Sequence, residues 1–485
     1  MKKAIIIGAG IGGLASSIRL KSKGYHVSVF EANSYPGGKL TEISGNGFRF
    51  DAGPSLFTMP EKVEEVLSVI NGVDVDFEYD QLDEVCRYFY EDGTVVKGWG
   101  DANKFAQEVE EKLQVSAKDV MKHLSKSAFI YETTAELFLE KSLHKLSTYF
   151  SLSTFRSFVK LPFLNINSSM DKVNTKALKH PKLVQLFNRY ATYNGSNPYV
   201  APGILNIIPH LEFGKGAYFP KNGMHAITQS LFHYAKKAGV EFHFDAKIEK
   251  LETLSGEVTS ARYMGKDIKA DVFVSNMDVV PFYKNLLPNS KLPQKILNQE
   301  RSSSALIFYW GIRKEFESLI LHNILFSENY KEEFEYIFNK KSVYHDPTVY
   351  INISSKHNKK DAPKGCENWF VMINVPADSG QQWDDLITTC KRNILSKIHR
   401  ILKVDISSFI EYENILHPQL IQNKTSSYKG ALYGSSSNKK MAAFFRHPNF
   451  SNQYSNLFFC GGSVHPGGGI PLALSSAKIV SELVD

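Results

Sequence analysis

The most constraining feature of this chain is a glycine-rich turn near residue 10, set between a short apolar run and a helical pattern. The apolar run Ala4–Ile7 is typical of a buried parallel strand, and the glycine-rich segment Gly8–Gly13 follows it directly. The apolar spacing of Leu14–Leu20 then predicts a helix that ends at Gly24. A G-x-G-x-x-G turn between a strand and a helix indicates a dinucleotide-binding unit.

Each glycine of this turn has a physical task. Gly8 allows the tight turn, Gly10 lets a pyrophosphate approach the backbone, and Gly13 lets the helix and the strand pack closely. The phosphates would lie at a helix N-terminus, where free N–H groups and the helix dipole favour anions. We therefore predict that Gly8, Gly10, Gly12 and Gly13 contact a dinucleotide.

A second strand, His26–Phe30, completes the β-α-β unit and is followed by Glu31. A carboxylate at that position accepts hydrogen bonds from both hydroxyls of a ribose. Because it would repel a ribose phosphate, Glu31 disfavours NADP. The unit alone leaves NAD and FAD open.

The segment after Glu31 favours FAD. Gly37-Gly38-Lys39 offers backbone N–H groups and a cation, and Leu40–Phe50 predicts a β-hairpin, whereas an NAD domain normally continues with a helix. A further tight turn follows at Gly53-Pro54-Ser55. We expect cofactor contacts from Gly38, Lys39, Gly53, Pro54 and Ser55.

The C-terminal region carries a second glycine-rich segment. An apolar strand, Leu457–Cys460, runs into a loop with three consecutive glycines, and Pro471 then opens a helical pattern. Three glycines in a row exceed what a turn requires, which favours a bare backbone lying against a flat flavin ring. The predicted contacts here are Gly462, Gly468, Gly469, Ile470 and Pro471.

Four blocks carry a resemblance that covers the whole chain. They are E-x(5)-G-G-K from Glu31 with G-F-R-F-D-A-G-P-S up to Ser55, Gly216–Met224, Val274–Asp278 and Leu457–Pro471. Together they resemble the phytoene-desaturase-type flavoproteins, which are bacterial carotenoid desaturases related to the amine oxidases. The resemblance implies an α/β fold in which a Rossmann-like FAD-binding domain is interleaved with an α+β substrate domain, as in amine oxidases and GDP-dissociation inhibitors.

We expect the FAD-binding domain to comprise residues 1–75, 215–285 and 440–485, and the substrate domain residues 76–214 and 286–439. Val240–Leu251 and Ala270–Ser275 alternate like strands that return to the FAD domain, and the resemblance puts Ile248 near the adenine. Ser303–Gly311 and Trp369–Val375 predict strands of a substrate-domain sheet. Within them, Phe308, Tyr309 and Trp310 either line an apolar tunnel or pack in the core.

Residues 129–164 combine apolar residues at helical spacing with Lys141, Lys145, Arg156 and Lys160. This pattern suits an interfacial membrane helix as well as an ordinary amphipathic core helix. The resemblance favours membrane contact, because a carotene is almost insoluble in water and passes directly from the bilayer to the enzyme. We expect a cytoplasmic protein bound peripherally to the membrane.

Composition excludes several other classes. No apolar run reaches the roughly 18 residues of a spanning helix, and a net charge of +7 over 485 residues does not indicate nucleic-acid binding. The four cysteines are scattered without metal-ligand spacing, so we predict buried thiols and no metal site.

The resemblance implies that flavin accepts a hydride from an acyclic carotenoid, forming a C=C bond. Asp51–Pro60 and Gly462–Pro466 look closest to the 1-hydroxycarotenoid 3,4-desaturases within the family. Arg301 and His465 are the candidate catalytic residues, and oxygen or a quinone is the expected electron acceptor. Open alternatives are a phytoene desaturase, a carotene isomerase, an amine oxidase and a flavin-free prenyl-lipid-binding chaperone.

Overall fold

The protein is described by a computed structural model that covers residues 1–150, 160, 164–290, 293–442 and 446–485. The strands are β1 Lys3–Ile7, β2 His26–Phe30, β3 Glu42–Gly45, β4 Phe48–Asp51, β5 Tyr79–Gln81, β6 Glu84–Phe89, β7 Val95–Trp99, β8 Tyr218–Pro220, β9 Glu241–His243, β10 Lys250–Leu254, β11 Glu257–Tyr263, β12 Lys266–Ile268, β13 Val272–Ser275, β14 Ser304–Ile312, β15 His322–Leu325, β16 Val349–Asn352, β17 Glu367–Val375, β18 Ile410–Leu416 and β19 Leu457–Phe459. The α-helices are α1 Ile11–Ser22, α2 Glu61–Leu67, α3 Ala102–Leu113, α4 Ala117–Glu140, α5 Met170–Leu178, α6 Pro181–Asn188, α7 Pro209–Phe213, α8 His225–Lys237, α9 Val279–Pro281, α10 Gln294–Leu297, α11 Tyr330–Glu335, α12 Trp383–Leu402, α13 Pro418–Thr425 and α14 Ile470–Leu483.

A five-stranded parallel sheet gathers strands that are far apart in the chain, in the order β19-β13-β1-β2-β9. Helix α1 packs beside it against α14, so the first and last helices of the chain are neighbours. This mixed α/β arrangement confirms the predicted fold class, while the exact domain boundaries stay a prediction.

A seven-stranded sheet has the order β18-β14-β17-β16-β15-β6-β7 and is antiparallel except where β15 pairs with β6. Because side chains alternate along a strand, its two faces have different neighbours. Leu306, Phe308 and Trp310 share a core with residues of helix α12, such as Ile394. The opposite face of this sheet therefore points away from α12.

Most predicted elements lie where the sequence pattern put them, with one correction. Val240–Leu251 is not one strand, because β9 ends at His243 and β10 begins only at Lys250. Between them Asp245 has a φ of 51°, and the Ala246 N–H donates to Glu31 O, so the chain turns off the sheet edge. This turn brings Ile248 towards Glu31.

The segment 129–164 is only partly described. Its first part belongs to helix α4, which ends at Glu140, and a 3₁₀ turn follows at Leu146–Phe150. Residues 151–159 and 161–163 lie outside the described residues, so the predicted membrane contact stays a prediction. Within the described ranges, no helix has the length and apolarity needed to cross a bilayer.

The cysteines are unpaired in the structure. Cys86, Cys390 and Cys460 are buried, and burial raises the pKa of each thiol to about 12. Cys366 is partly exposed. The described part of the chain contains no group of three or more His, Cys, Asp or Glu side chains that could hold a metal ion.

Candidate active site

A single cavity of about 1450 Å³ joins the two large sheets. On one side its wall consists of loops at the carboxyl ends of β1, β2, β13 and β19, the place where open α/β sheets bind ligands. On the other side the wall is a face of the seven-stranded sheet.

The cavity brings together nearly all the residues that the sequence predicts as cofactor contacts. The wall includes Gly8, Gly10, Gly12, Glu31, Gly38, Lys39, Gly53, Pro54, Ser55, Ile248, Gly462, Gly468, Gly469, Ile470 and Pro471. Gly13 is not on the wall; a Cβ there would lie 2.0 Å from Gly8 O, so its function is the close packing of helix on strand. We name Gly8–Gly12, Gly37–Lys39, Gly461–Ser463 and Gly468–Pro471 the glycine-loop end of the cavity.

Asn276, at the end of β13, holds the glycine-loop end together. A Cβ on Gly10 would lie 2.5 Å from Asn276 Nδ2, and one on Gly12 would lie 2.7 Å from Asn276 Oδ1. Gly461 has a φ of 97°, and a Cβ there would also lie close to the Asn276 side chain. Asn276 lies in a block that carries the family resemblance, but its packing function had no local signal because its partners come from both ends of the chain.

Glu31 is fixed by the backbone around it. Its Oε2 accepts from the Ala9 N–H at 2.7 Å, and its Oε1 accepts from the Asn33 N–H at 2.9 Å. Glu31 is 7% exposed, and both it and Ile248 line the cavity. This geometry fits a ribose bound at the end of β2.

Two helices begin at the glycine-loop end without a capping side chain. The N-cap of α1 is Gly10 and that of α14 is Gly469, and neither helix has a side-chain cap bond. Their first N–H groups therefore remain available to an anion at the cavity wall. Bare glycine backbone and two uncapped helix ends fit a dinucleotide with a pyrophosphate.

Lys39 lines the cavity but is directed at the protein. Its Nζ donates to Leu432 O at 2.8 Å. Burial lowers the pKa of Lys39 to about 8, although the charge of Asp278 opposes this effect. Lys39 thus ties the first glycine loops to the chain before Tyr433.

The apolar wall is a row of residues in register across the seven-stranded sheet. Ile307 pairs with Met372, Met372 with Tyr350, and Tyr350 with Ile324. All of these residues line the cavity, as do Ala305 and Phe370 from the neighbouring rows. We name Ala305, Ile307, Ile324, Tyr350, Phe370 and Met372 the sheet floor. Phe308 and Trp310 lie on the opposite face, so they pack in the core and do not line a tunnel.

A buried charged group interrupts the apolar wall. The Arg189 guanidinium donates to Tyr88 OH and to Tyr193 OH, each at 2.9 Å, and Glu212 accepts from Tyr190 OH at 2.6 Å. Arg189, Tyr193 and Glu212 all line the cavity. No sequence pattern indicated this group, because its residues lie on different elements within a segment without a recognised motif.

The two predicted catalytic residues lie off the cavity wall. His465 is buried, its Nε2 lies 2.9 Å from Lys141 O, and burial lowers its pKa to about 4, so the ring is neutral near pH 7. Arg301 donates to Gln299 O at 3.1 Å and forms an isolated bridge with Ser435. Their catalytic function stays a prediction. His465 links the C-terminal glycine loop to the end of α4, which suits a residue that positions these two segments relative to each other.

Tyr433 is a wall residue that the sequence did not single out. A Cβ on Gly468 would lie 2.8 Å from the Tyr433 ring, so the ring lies directly on the C-terminal glycine loop. Behind it, buried Arg446 donates to Tyr433 O at 3.0 Å. Tyr433 therefore needs a glycine at position 468.

A family model described as flavin containing amine oxidoreductase matches residues 11–485. The chain belongs to this family. It is 56% identical over 484 residues to a 1-hydroxycarotenoid 3,4-desaturase from Flavobacterium sp. (strain P99-3), covering 100% of this chain and 99% of that protein. It is 30% identical to a 4,4′-diaponeurosporene oxygenase from Staphylococcus haemolyticus, covering 100% of this chain and 97% of that protein.

Among solved structures, an oxidoreductase from Methanosarcina mazei shares the fold, with a TM-score of 0.66 at 16% identity, over 99% of this chain and 100% of that one. The family uses a flavin, and the glycine-loop end fits a dinucleotide. The dinucleotide form of flavin is FAD, so the predicted cofactor is confirmed and the protein is an FAD-dependent oxidoreductase.

Proposed function

We propose that this protein is a carotenoid desaturase that introduces a C=C bond into an acyclic carotenoid, specifically the 3,4 bond of a 1-hydroxycarotenoid. The observation that carries the proposal is the 56% identity, over the whole chain, to a relative with that activity in its name. The cavity supports it, because the glycine-loop end and the apolar sheet floor are parts of one space. At about 1450 Å³ this space exceeds the 300–1,000 Å³ usual for a small-ligand pocket, as a cofactor plus a long substrate requires.

Desaturation removes a hydride and a proton from adjacent carbons. FAD supplies the hydride acceptor when bound. The apolar floor around Ile307 and Met372 orients the polyene and excludes water. The N-terminus of α14 directs a partial positive charge at the wall formed by Gly469–Pro471, which favours negative charge developing there.

The contacts to FAD are assigned to the predicted wall residues. Gly8, Gly10 and Gly12 would hold the pyrophosphate, Glu31 would hold the ribose, and Ile248 would lie near the adenine. Gly462 and Gly468–Pro471 would hold the flavin ring. Arg301 and His465 are given no step in the reaction, since both lie off the wall.

The substrate reaches the cavity from a membrane in this proposal, and the protein is a cytoplasmic one that binds the membrane peripherally. Helix α4 supports an entry route near residues 129–164, because Tyr131 and Leu139 on this helix line the cavity. The electron acceptor in this proposal is oxygen or a quinone.

The test uses purified protein, FAD and liposomes that contain one acyclic 1-hydroxycarotenoid. We expect bound flavin absorbance and a product that is two hydrogens lighter and absorbs at longer wavelength. A product of unchanged mass would indicate an isomerase, and one heavier by oxygen would indicate an oxygenase. A flavin-free protein that still binds the lipid would indicate a prenyl-lipid chaperone. Each of these results contradicts the proposal.

A further inference from the structure

Two buried nitrogen donors on the cavity wall lack a partner. Arg189 is 6% exposed, and although its terminal nitrogens bind Tyr88 and Tyr193, its Nε has no hydrogen bond to any described residue. His322 is 2% exposed, and its Nε2 likewise has no partner in the described ranges. Both residues line the cavity.

The proton of His322 can be assigned from its neighbours. The Asn352 amide nitrogen donates to Leu321 O and lies 3.1 Å from His322 Nδ1, so Nδ1 is the acceptor of this pair. Burial, followed by the charges of His357 and Arg189, lowers the pKa of His322 to about 3, so the ring is neutral at physiological pH. The single ring proton is therefore on Nε2.

The missing partner of these two groups is an oxygen acceptor. Arg189 Nε and His322 Nε2 both carry hydrogen, and a buried donor without an acceptor is destabilising. The same cavity wall includes the apolar side chains of Ile324 and Leu205. A pure hydrocarbon has no atom that accepts a hydrogen bond from these donors, whereas a hydroxylated carotenoid has a hydroxyl oxygen that does.

His322 is connected to the predicted cofactor loop by two hydrogen bonds. Ser55 Oγ and Tyr350 OH are 2.7 Å apart, and Tyr350 OH and His322 Nδ1 are also 2.7 Å apart. The hydroxyl of a 1-hydroxycarotenoid is on C1, and only C2 separates C1 from the 3,4 bond. A hydroxyl-binding group must therefore lie close to the reacting bond, and the link from His322 through Tyr350 to Ser55, a predicted cofactor contact, supports such a position.

We propose that Arg189 and His322 donate hydrogen bonds to the hydroxyl oxygen of the substrate and thereby select hydroxylated carotenoids and position the 3,4 bond at the flavin. This inference rests on the proposed function and adds its specificity determinant. Tyr350 and Asn352 act as positioning residues that hold the His322 ring. Glu212 keeps the tyrosines around Arg189 in place.

The test compares two substrates that differ only in the C1 hydroxyl, each in liposomes with FAD-loaded protein. We expect the wild type to prefer the hydroxylated substrate in kcat/KM by about 100-fold or more, because sites built to bind a hydroxyl reject analogues without it. His322→Phe should lower kcat/KM for the hydroxylated substrate at least about ten-fold. The preference for the hydroxylated substrate, which is the ratio of the two kcat/KM values, should fall by the same factor.

Two further variants separate recognition from folding. His322→Gln restores an N–H donor near the position of Nε2, so part of the preference should return. Arg189→Lys retains the cation among the tyrosines but lacks Nε, and it should lose preference while still binding flavin. These variants keep the test decisive if His322→Phe is purified without flavin.

The outcomes distinguish a failure of this inference from a failure of the proposed function. If the wild type desaturates both substrates equally, or if all variants lower both activities by the same factor, the inference is wrong and the desaturase function stands. If the wild type desaturates neither substrate, the proposed function itself is wrong.

Discussion

The glycine-loop end and the sheet floor belong to one cavity but are built from different parts of the polypeptide. At the glycine-loop end the wall is largely backbone, kept bare by glycines that pack around Asn276. At the sheet floor the wall consists of side chains brought into register from β14, β15, β16 and β17. The first kind of wall suits a cofactor common to a family, and the second is free to change with the substrate.

The largest effect is expected from a substitution that disrupts the glycine-loop end. In Gly13→Ala the new Cβ would lie 2.0 Å from Gly8 O, which is backbone and cannot move aside. We expect a loss of about 3 kcal/mol of stability and protein purified without flavin. Flavin absorbance per protein and the unfolding temperature measure both effects.

The matched control lies at the other end of the same helix. Gly24 has a φ of 85° and no atom within 4 Å of the point where a Cβ would lie, so Gly24→Asn should retain flavin. Full flavin content in Gly13→Ala would contradict the packing function of this glycine.

The difference between the glycine-loop end and the sheet floor also explains which residues the sequence could predict. Gly8–Gly13, Glu31 and Gly53–Ser55 are contiguous motifs whose spacing encodes their geometry, and nearly all lie on the wall. The sheet floor could not be predicted, since β14 is buried on both faces and its alternation carries no signal. Arg301 and His465 are close in sequence to an apolar run and a glycine loop, but proximity in sequence does not determine which side of a loop faces the cavity.

The next effect distinguishes the two faces of β14, because two neighbouring residues, one on each face, are substituted separately. Ile307→Trp would fill the cavity above the sheet floor, and we expect kcat/KM to fall about 100-fold with flavin retained. Leu306→Ala, on the face packed against α12, should instead cost about 2–5 kcal/mol of stability with little effect on turnover per bound flavin. Chemical denaturation and steady-state kinetics of both variants test the assignment, which the reverse pattern would overturn.

The next effect concerns pH, because Thr348 on the cavity wall is hydrogen-bonded to a buried ionisable group. Glu333 is 2% exposed and accepts from the Thr348 hydroxyl at 2.7 Å. Burial raises its pKa to about 7 from 4.5. Between those values the folded state binds a proton that the unfolded state does not, so this stabilising contribution is lost as the pH rises through 7.

Glu333→Gln remains neutral at every pH. Relative to wild type, its free energy of unfolding should therefore rise by about 3 kcal/mol between pH 4 and pH 8. Urea denaturation at several pH values measures the difference, in which the other titrating groups cancel. A difference that is constant with pH would show that the pKa of Glu333 is the same in the folded and unfolded states.

The smallest effect examines the carboxylate that the sequence predicts as the ribose ligand at the dinucleotide site. Glu31→Gln keeps an oxygen for the Ala9 N–H but removes the charge, and an amide accepts hydrogen bonds from ribose hydroxyls less strongly than a carboxylate. We expect the Kd for FAD to rise about ten-fold, which corresponds to about 1.4 kcal/mol. Titration of flavin-free protein with FAD, followed by flavin fluorescence, gives the value. Glu241→Gln is the control, since this exposed carboxylate lies on neighbouring β9. Equal Kd values for the two variants would mean that Glu31 supports the loop at Ala9 and does not bind the ribose, so that recognition at this end would rest on the backbone alone.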